Sequence, residues 1–404
     1  MSDGLLKLGR RAPQGRAGVA LLQSGFRPFF LLAPVAATVA LAGWLLVLHG
    51  RLALPGALSG VDLHAHEMVF GFVCAVIAGF LLTAVKNWTG RAPAPPLVLG
   101  ALVALYLLGR VAVVAEAMGA SRGVGALELA FLPLLAVAVA RPILATRNWR
   151  NLGVAAIVAL LAVADVLTHV AAWRGDVVLA ASARSVALLL PCVLIAVIGG
   201  RVIPMFTRNV VLEQGGFVRA STAVDLWAVV AIAAVALVGS AAPWWSQLDR
   251  VEAGLSLAAG SLTLWRMRGW STLRTRTAPL LWVLHLGHAC LGLGLLARGA
   301  ARLAPDVIPP SAATHLLAAG AIGMLCLGMM SRVALGHTGR PLLVPRVAVA
   351  GYLVLVVALV LRVGASWRPA LLDPSAASFA LAFLLFLAGY AVLLVRPRVD
   401  GAPG

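Results

Sequence analysis

The chain has 404 residues, of which 62% are hydrophobic and only 11% are charged, and its formal net charge is +18 at pH 7. A soluble domain carries roughly 25% charged residues, so this sequence cannot cover a water-facing surface. The composition excludes a soluble enzyme, a coiled coil and a disordered scaffold. The apolar stretches run unbroken for ~20 residues instead of alternating over ~10, which also excludes a transmembrane β-barrel.

Apolar stretches separated by short connectors predict an all-α fold, a polytopic integral membrane bundle of about twelve transmembrane helices. We expect one membrane domain over residues 29–395, between a basic N-terminal segment (residues 1–28) and a short tail (residues 396–404). The eighth span is the weakest, because it is short and contains Gly254 and Gly260. The spans are expected near residues 29–48, 66–85, 96–117, 124–141, 152–172, 184–203, 223–239, 251–265, 279–297, 312–335, 346–364 and 376–395.

The positive charges predict the orientation of these helices. When connectors are assigned alternately to the two sides, roughly two thirds of the 32 Lys and Arg residues fall on the side of the N-terminus. This excess predicts that both termini are cytoplasmic. Orientation and anionic lipid explain the positive charge better than a nucleic acid does, so we expect a lipid bilayer and no nucleic acid as partner.

The histidines are the first candidate functional residues, because an ionisable group at membrane depth usually faces a partner, a cavity or a cofactor. Most of the eight histidines lie in or at the ends of predicted spans, toward the predicted outer half. Neutral imidazole is a preferred ligand of haem iron and of copper. We therefore expect metal ligands among His64, His66, His169, His285, His288 and His315.

The spacing of the histidines adds detail. His285 and His288 are three residues apart and share one helix face, so both can meet a common ligand. His64 and His66 diverge by ~200° on a regular helix and are expected to serve different centres, unless the helix starts between them. The alternative for every histidine is a hydrogen-bonded or interfacial role. We favour that alternative for His49 and His337.

Acidic residues inside spans are the second group of candidates. Glu67 follows His66 directly and is the candidate catalytic residue, assisting proton movement; its alternative role is a buried hydrogen bond to a neighbouring histidine. The other acids at span depth are interpreted either as proton-relay groups or as partners of buried arginines. They are Glu116, Glu128, Asp165 and Asp225.

Arg201 and Arg208 lie in the segment 199–209, which contains two glycines and Pro204. One interpretation makes these two guanidinium groups binding partners of an anionic group such as a haem propionate. The other is a kinked helix end, closing the sixth span, that is anchored to lipid phosphate. We favour the second interpretation slightly.

Four motifs, in this order, resemble the NnrS family over the chain from about residue 22 to the last span. They are Gly-Phe-Arg-Pro-Phe-Phe at 25–30, His-Ala-His-Glu-Met-Val-Phe-Gly-Phe at 64–72 continuing into Ala-Gly-Phe-Leu-Leu-Thr-Ala-Val-Lys-Asn-Trp-Thr-Gly at 78–90, Gly-Gly-Arg-Val-Ile-Pro-Met-Phe-Thr-Arg-Asn at 199–209, and Leu-Gly-His-Thr-Gly-Arg-Pro-Leu at 335–342. The resemblance implies a multi-pass protein of the bacterial inner membrane that contains haem b and copper. It also implies a role in nitric oxide metabolism and resistance to nitrosative stress. The family's histidines carry over onto His64, His66, His285, His315 and His337.

The leading hypothesis from this resemblance is a haem–copper protein that binds nitric oxide, with imidazoles of the second, ninth and tenth spans holding the metals. It leaves open which histidines bind haem and which bind copper, whether nitric oxide is turned over by an oxidoreductase reaction, what the electron donor is, and the oligomeric state. The alternative is a secondary transporter that exports copper, haem or an iron–nitrosyl species. A third hypothesis, an assembly partner of a respiratory complex, predicts no tightly held metal.

Overall fold

The computed structural model of the protein describes residues 20–58, 60–213, 216 and 218–401, and all regular structure within these ranges is helical. Residues 1–19 of the predicted basic segment and residues 402–404 of the predicted tail lie outside the described residues. Within the described ranges, eleven helices are long and apolar enough to cross a membrane, so the fold is a polytopic helical membrane bundle. In chain order, the long helices are α1 (Phe26–Leu48), α2 (Gly60–Thr89), α3 (Pro96–Ala117), α4 (Arg122–Ala145), α5 (Trp149–Arg174), α6 (Val177–Glu213), α7 (Thr222–Ala241), α8 (Leu248–Met267), α9 (Pro279–Leu303), α10 (Pro310–His337), α11 (Arg346–Gly364) and α12 (Pro369–Val395).

The span predicted to be the weakest forms a regular helix, α8, but this helix is not among the eleven. Its polar content explains the difference, since it carries Asp249, Arg250, Glu252 and Arg266. Such charges are tolerated inside a bundle only where they face partners. The helix is therefore packed into the protein by its charges as well as by its apolar residues.

Glycines bring the backbones of α8 and α9 into contact. A Cβ atom at Gly260 would lie 2.7 Å from the carbonyl oxygen of Gly292, and one at Gly299 would lie 2.7 Å from that of Ala253. These two contacts also show that α8 and α9 are antiparallel. Close approach at small residues is the usual packing mode of membrane helices, in which no hydrophobic effect drives helix association.

Helix α6 continues beyond the point where the sequence predicts its end. The expected break near Pro204 is wrong, because the helix runs to Glu213 without interruption. Gly200 does not act as a flexible joint; the guanidinium of Arg266 occupies the space that a side chain at this position would need. Arg266 in turn donates a 2.5 Å hydrogen bond to Asp225. The glycine thus makes room for a charged neighbour inside the bundle.

Helices α2 and α10 each contain a π-helical segment, at Glu67–Val73 and Leu316–Gly323. Each segment begins directly after a histidine, His66 in α2 and His315 in α10. A π-helical turn widens the helix and is found frequently at functional sites. Side chains of both segments line the same cavity, so the two distortions mark one region of the bundle.

The close packing of α8 on α9 gives a first prediction. Gly260→Leu should lower the free energy of unfolding by about 1–3 kcal/mol, because the new side chain overlaps the α9 backbone. Gly254→Leu is the matched control, since a Cβ atom at this α8 position meets no atom within 4 Å. Unfolding of the purified protein in detergent, followed by circular dichroism, measures both. Equal stability of the two variants would contradict the α8–α9 contact.

Candidate functional site

A cavity of about 730 Å³ lies at the centre of the bundle, toward the end where α2, α10 and α12 begin. Its walls are mostly apolar, with large side chains such as Met68, Phe72, Leu188 and Phe379. Three histidines and four arginines also line it. They are His64, His66, His315, Arg184, Arg298, Arg302 and Arg362. An apolar cavity with a few convergent polar groups is the usual form of a ligand site.

His64 and His315 face this cavity from two different helices. Nδ1 of His315 donates to the backbone carbonyl of Ser311 at 2.8 Å, so Nε2 keeps its lone pair. His64 stacks on Trp44 with ring centroids 5.0 Å apart, and its buried Nδ1 has no hydrogen-bond partner among the residues described. Each ring therefore retains a nitrogen that no described residue binds. Such nitrogens are the normal ligands of haem iron.

The ends of α8 and α9 hold two of the cavity arginines in place. Arg298 donates to Glu252 at 2.7 Å and to Ser185 at 2.9 Å. Arg302 pairs with Asp249 at 2.8 Å and with Glu252 at 2.7 Å. These ion pairs explain why α8 is too polar to resemble an ordinary span. A helix that appears weak in the sequence supplies the counter-charges for the cavity wall.

The other two cavity arginines belong to α6 and α11. Arg184 forms an ion pair with Asp62 at the start of α2. Arg362 donates to the hydroxyl of Ser311, one turn before His315. None of the four arginines is among the site residues predicted from the sequence. One signal was present for two of them, since Arg298 and Arg302 are spaced i, i+4 and share a helix face.

Beside the cavity lies a buried group of metal-ligating residues, which we call the acidic cluster: His66, Glu128, Asp165 and His169. Each offers one ligand atom, and these atoms all lie within 4.8 Å of one another. Nε2 of His66 is 3.1 Å from a carboxylate oxygen of Glu128 and 3.1 Å from one of Asp165. Nε2 of His169 is 3.4 Å from the same Glu128 oxygen. His66 also lines the cavity, so the cluster and the cavity are adjacent.

Three charged residues extend the acidic cluster. Glu67 lies 3.2 Å from Nδ1 of His66 and 2.6 Å from Arg110, which also pairs with Glu128. Glu116 lies 3.4 Å from Nδ1 of His169. Among the described residues here, the group thus contains one guanidinium, which pairs with Glu67 and Glu128, and two further carboxylates, Glu116 and Asp165.

This imbalance of charge has a physical consequence. Negative charge without a counter-charge is strongly unfavourable in a low-dielectric interior. Protons on the two imidazoles, or a bound cation, would offset it. The cluster therefore has both the donor atoms and the electrostatics of a cation site.

His285 and His288 lie apart from the cavity. Thr207 donates to the carbonyl of Ile203, so its hydroxyl oxygen accepts from Nε2 of His285 at 2.8 Å. Nδ1 of His285 then accepts a hydrogen bond from the hydroxyl of Thr272 at 2.9 Å. Both ring nitrogens of His285 are therefore hydrogen bonded. His288 is buried, and neither of its ring nitrogens has a partner in the described part of the chain.

Both His285 and His288 pack on Trp270, as expected for one shared helix face. The ring centroid of Trp270 lies 5.9 Å from that of His285 and 4.7 Å from that of His288.

The remaining candidates are distributed over the surface and the helix ends. His49 is exposed and lies 3.0 Å from Asp373, and His337 packs on Phe26. Arg201 donates to Asn151 at 3.1 Å, and Arg208 is exposed. None of these candidates lines the large cavity, which brings together His64, His66 and His315 and has His169 behind His66.

Comparison with protein families identifies the chain. The model of the NnrS protein family matches residues 20–398, nearly the whole length, so the chain belongs to the NnrS family. The resemblance that the four motifs indicate is thereby confirmed. A search of curated proteins found no match. Family membership points to a membrane protein of the nitric oxide response, and the acidic cluster could bind a metal.

A second prediction concerns the charge balance of the acidic cluster. Arg110→Gln should lower the free energy of unfolding by about 3–5 kcal/mol, because it leaves the carboxylates of Glu67 and Glu128 buried without a cation. Adding Glu128→Gln to this variant should recover part of the loss, since one negative charge is then removed as well. Denaturant unfolding of the single and double variants measures the effect. A double variant that is less stable than Arg110→Gln would contradict the charge argument.

Proposed function

We propose that the protein is a haem- and copper-binding protein of the bacterial inner membrane that binds nitric oxide in its large cavity. One observation carries the proposal: His64 and His315, each with an uncommitted ring nitrogen, line a single cavity of about 730 Å³. Membership in the NnrS family supports the link to nitric oxide.

The residues of the cavity fit a haem group. A haem requires apolar walls for the porphyrin, an axial ligand for the iron and cations for its two propionates. Phe72 and Phe379 contribute to the apolar walls, and His64 and His315 are the candidate axial ligands. The arginines at the helix ends are the candidate partners of the propionates, a role that guanidinium geometry suits. The cavity volume also falls within the usual range of about 300–1,000 Å³ for ligand sites.

The acidic cluster fits copper in its oxidised form. Two imidazoles and two carboxylates are a nitrogen and oxygen donor set, which suits Cu(II), whereas Cu(I) favours the softer sulfur ligands. A divalent cation would also offset the excess negative charge around Arg110. His66, His169, Glu128 and Asp165 would hold the metal, and His66 would separate it from the haem cavity.

The chain's own groups can hold protons beside the proposed metals. Nδ1 of His66 lies 3.2 Å from Glu67, and Nδ1 of His169 lies 3.4 Å from Glu116. These contacts use the ring nitrogens other than Nε2, which would bind the copper together with Glu128 and Asp165. Glu67 would hold a proton at its carboxylate, between Nδ1 of His66 and Arg110. Bound haem would supply the iron that binds nitric oxide.

A third prediction tests the haem site. Purified wild-type protein should show a Soret band that shifts on addition of nitric oxide, and His64→Ala and His315→Ala should each weaken or abolish this band. His49→Ala is the control, because His49 is exposed and pairs with Asp373 outside the cavity. If the wild type is colourless, the haem proposal fails and the transporter hypothesis becomes the better account. If His64→Ala and His315→Ala both retain a normal Soret band, the axial ligands of the haem iron are other residues.

A fourth prediction separates the two metals. His169→Ala and Asp165→Asn should lose copper in elemental analysis and retain the Soret band, since neither residue is a candidate haem ligand. His285→Ala should retain both metals, because its two ring nitrogens are occupied by threonine hydroxyls. Loss of copper in His285→Ala together with retention in His169→Ala would place copper outside the acidic cluster.

A further inference from the structure

A second cavity, which we call the lateral slot, lies between α1, α2 and α3 and has a volume of about 300 Å³. Five of its lining residues lie largely on the outer surface of the bundle, with exposed fractions of 44–62%. This surface faces the hydrocarbon of the bilayer, because α1 and α3 are membrane-spanning helices. The five residues are Val35, Val39, Leu107, Val114 and Met118. The slot therefore connects the bundle interior with the lipid.

The inner end of the lateral slot reaches the large cavity. Trp44 and His64 line both cavities, and their rings stack with an interplanar angle of 22°. These two side chains form a common wall between the slot and the cavity. A passage from the slot into the cavity therefore leads past these two side chains.

Most polar groups at the inner end are already bonded within the protein, and Nδ1 of His64 is the exception that the access route would pass. The hydroxyl of Tyr106 donates to the carbonyl of Gly71 at 3.0 Å, and Arg110 pairs with Glu67 and Glu128. A lipid or other amphiphile with a polar head would find few free groups to recognise it there. The slot instead suits a small, uncharged and apolar molecule, which needs no hydrogen bond.

From this arrangement we infer that the lateral slot is the access route of a small uncharged gas from the bilayer to the large cavity, past Trp44 and His64. The inference rests on the proposed function, under which that gas is nitric oxide. The other side of the cavity is lined by ion-paired charges, including Asp62, Arg184 and Arg302, which favour water and ions. An uncharged gas partitions into apolar surroundings and so takes the slot in preference.

Gly43 provides a means of closing the slot. It lines the slot, and a Cβ atom at this position would meet no atom within 4 Å. A larger side chain can therefore occupy the open space without displacing the backbone. The series Gly43→Ala, Gly43→Leu and Gly43→Phe should fill the slot in steps.

The test measures carbon monoxide rebinding after flash photolysis, and nitric oxide binding by stopped flow, in reduced protein in lipid nanodiscs. Gly43→Leu and Gly43→Phe should slow the bimolecular rates about tenfold, equivalent to ~1.4 kcal/mol of barrier, with an unchanged Soret maximum. Gly43→Ala should have a smaller effect. Gly254→Leu is the matched control and should leave the rates unchanged, since it adds the same side chain in open space on α8.

A measurement independent of haem keeps the two proposals apart. Xenon at pressure should occupy the slot of the wild type and not that of Gly43→Phe, as seen by anomalous scattering from crystals. The access route would be overturned by normal gas-binding rates throughout the Gly43 series. It would also be overturned by an acyl chain that fills the slot and excludes xenon. Either result would leave the haem proposal intact. A wild type with no gas-binding pigment would overturn the proposed function, while xenon would still report on the slot.

Discussion

The rest of the structure depends on the need to neutralise charge inside a bilayer, where no bulk water is available to do it. An ionisable side chain in the bundle is stabilised by a counter-charge on another helix, by hydrogen bonds to polar groups, or by a ligand. Helix α8 illustrates the first solution, because its carboxylates at Asp249 and Glu252 are matched by guanidinium groups of α9. The acidic cluster illustrates the second, because Arg110 is one cation among several carboxylates.

This distinction separates structural from functional polar groups. Asp225 and Arg266 form a complete pair, and His285 is fully hydrogen bonded, so neither requires a ligand to be stable. His64 and the acidic cluster are incomplete in the protein alone. These two groups are next to one another, on either side of His66, whereas His288, whose ring nitrogens also have no partner in the described part of the chain, lies apart from them. Their proximity is the reason for treating the cavity and the cluster as one centre rather than as two unrelated sites.

The sequence predicts the helices far better than it predicts how they face one another. Helix positions follow from apolar length, so the bundle could be expected. The sequence did not predict that His64 and His66 line one cavity. Contacts such as His66 with Asp165 depend on the rotation and tilt of separate helices, which periodicity in a single sequence does not determine. The π-helical segments have no sequence signal that we recognise. The helix continues through Pro204 for a local reason, since membrane helices tolerate proline when neighbouring groups stabilise the backbone.

The most direct test of the account is a crystal structure of the wild-type protein as isolated, with anomalous data collected at the iron and copper absorption edges. An iron peak is expected in the large cavity, next to His64 or His315, and a separate copper peak among His66, Glu128, Asp165 and His169. Absence of both peaks from freshly purified protein would contradict the claim that this region is a metal centre. A peak beside His288 with none in the cavity would contradict the assignment of the site.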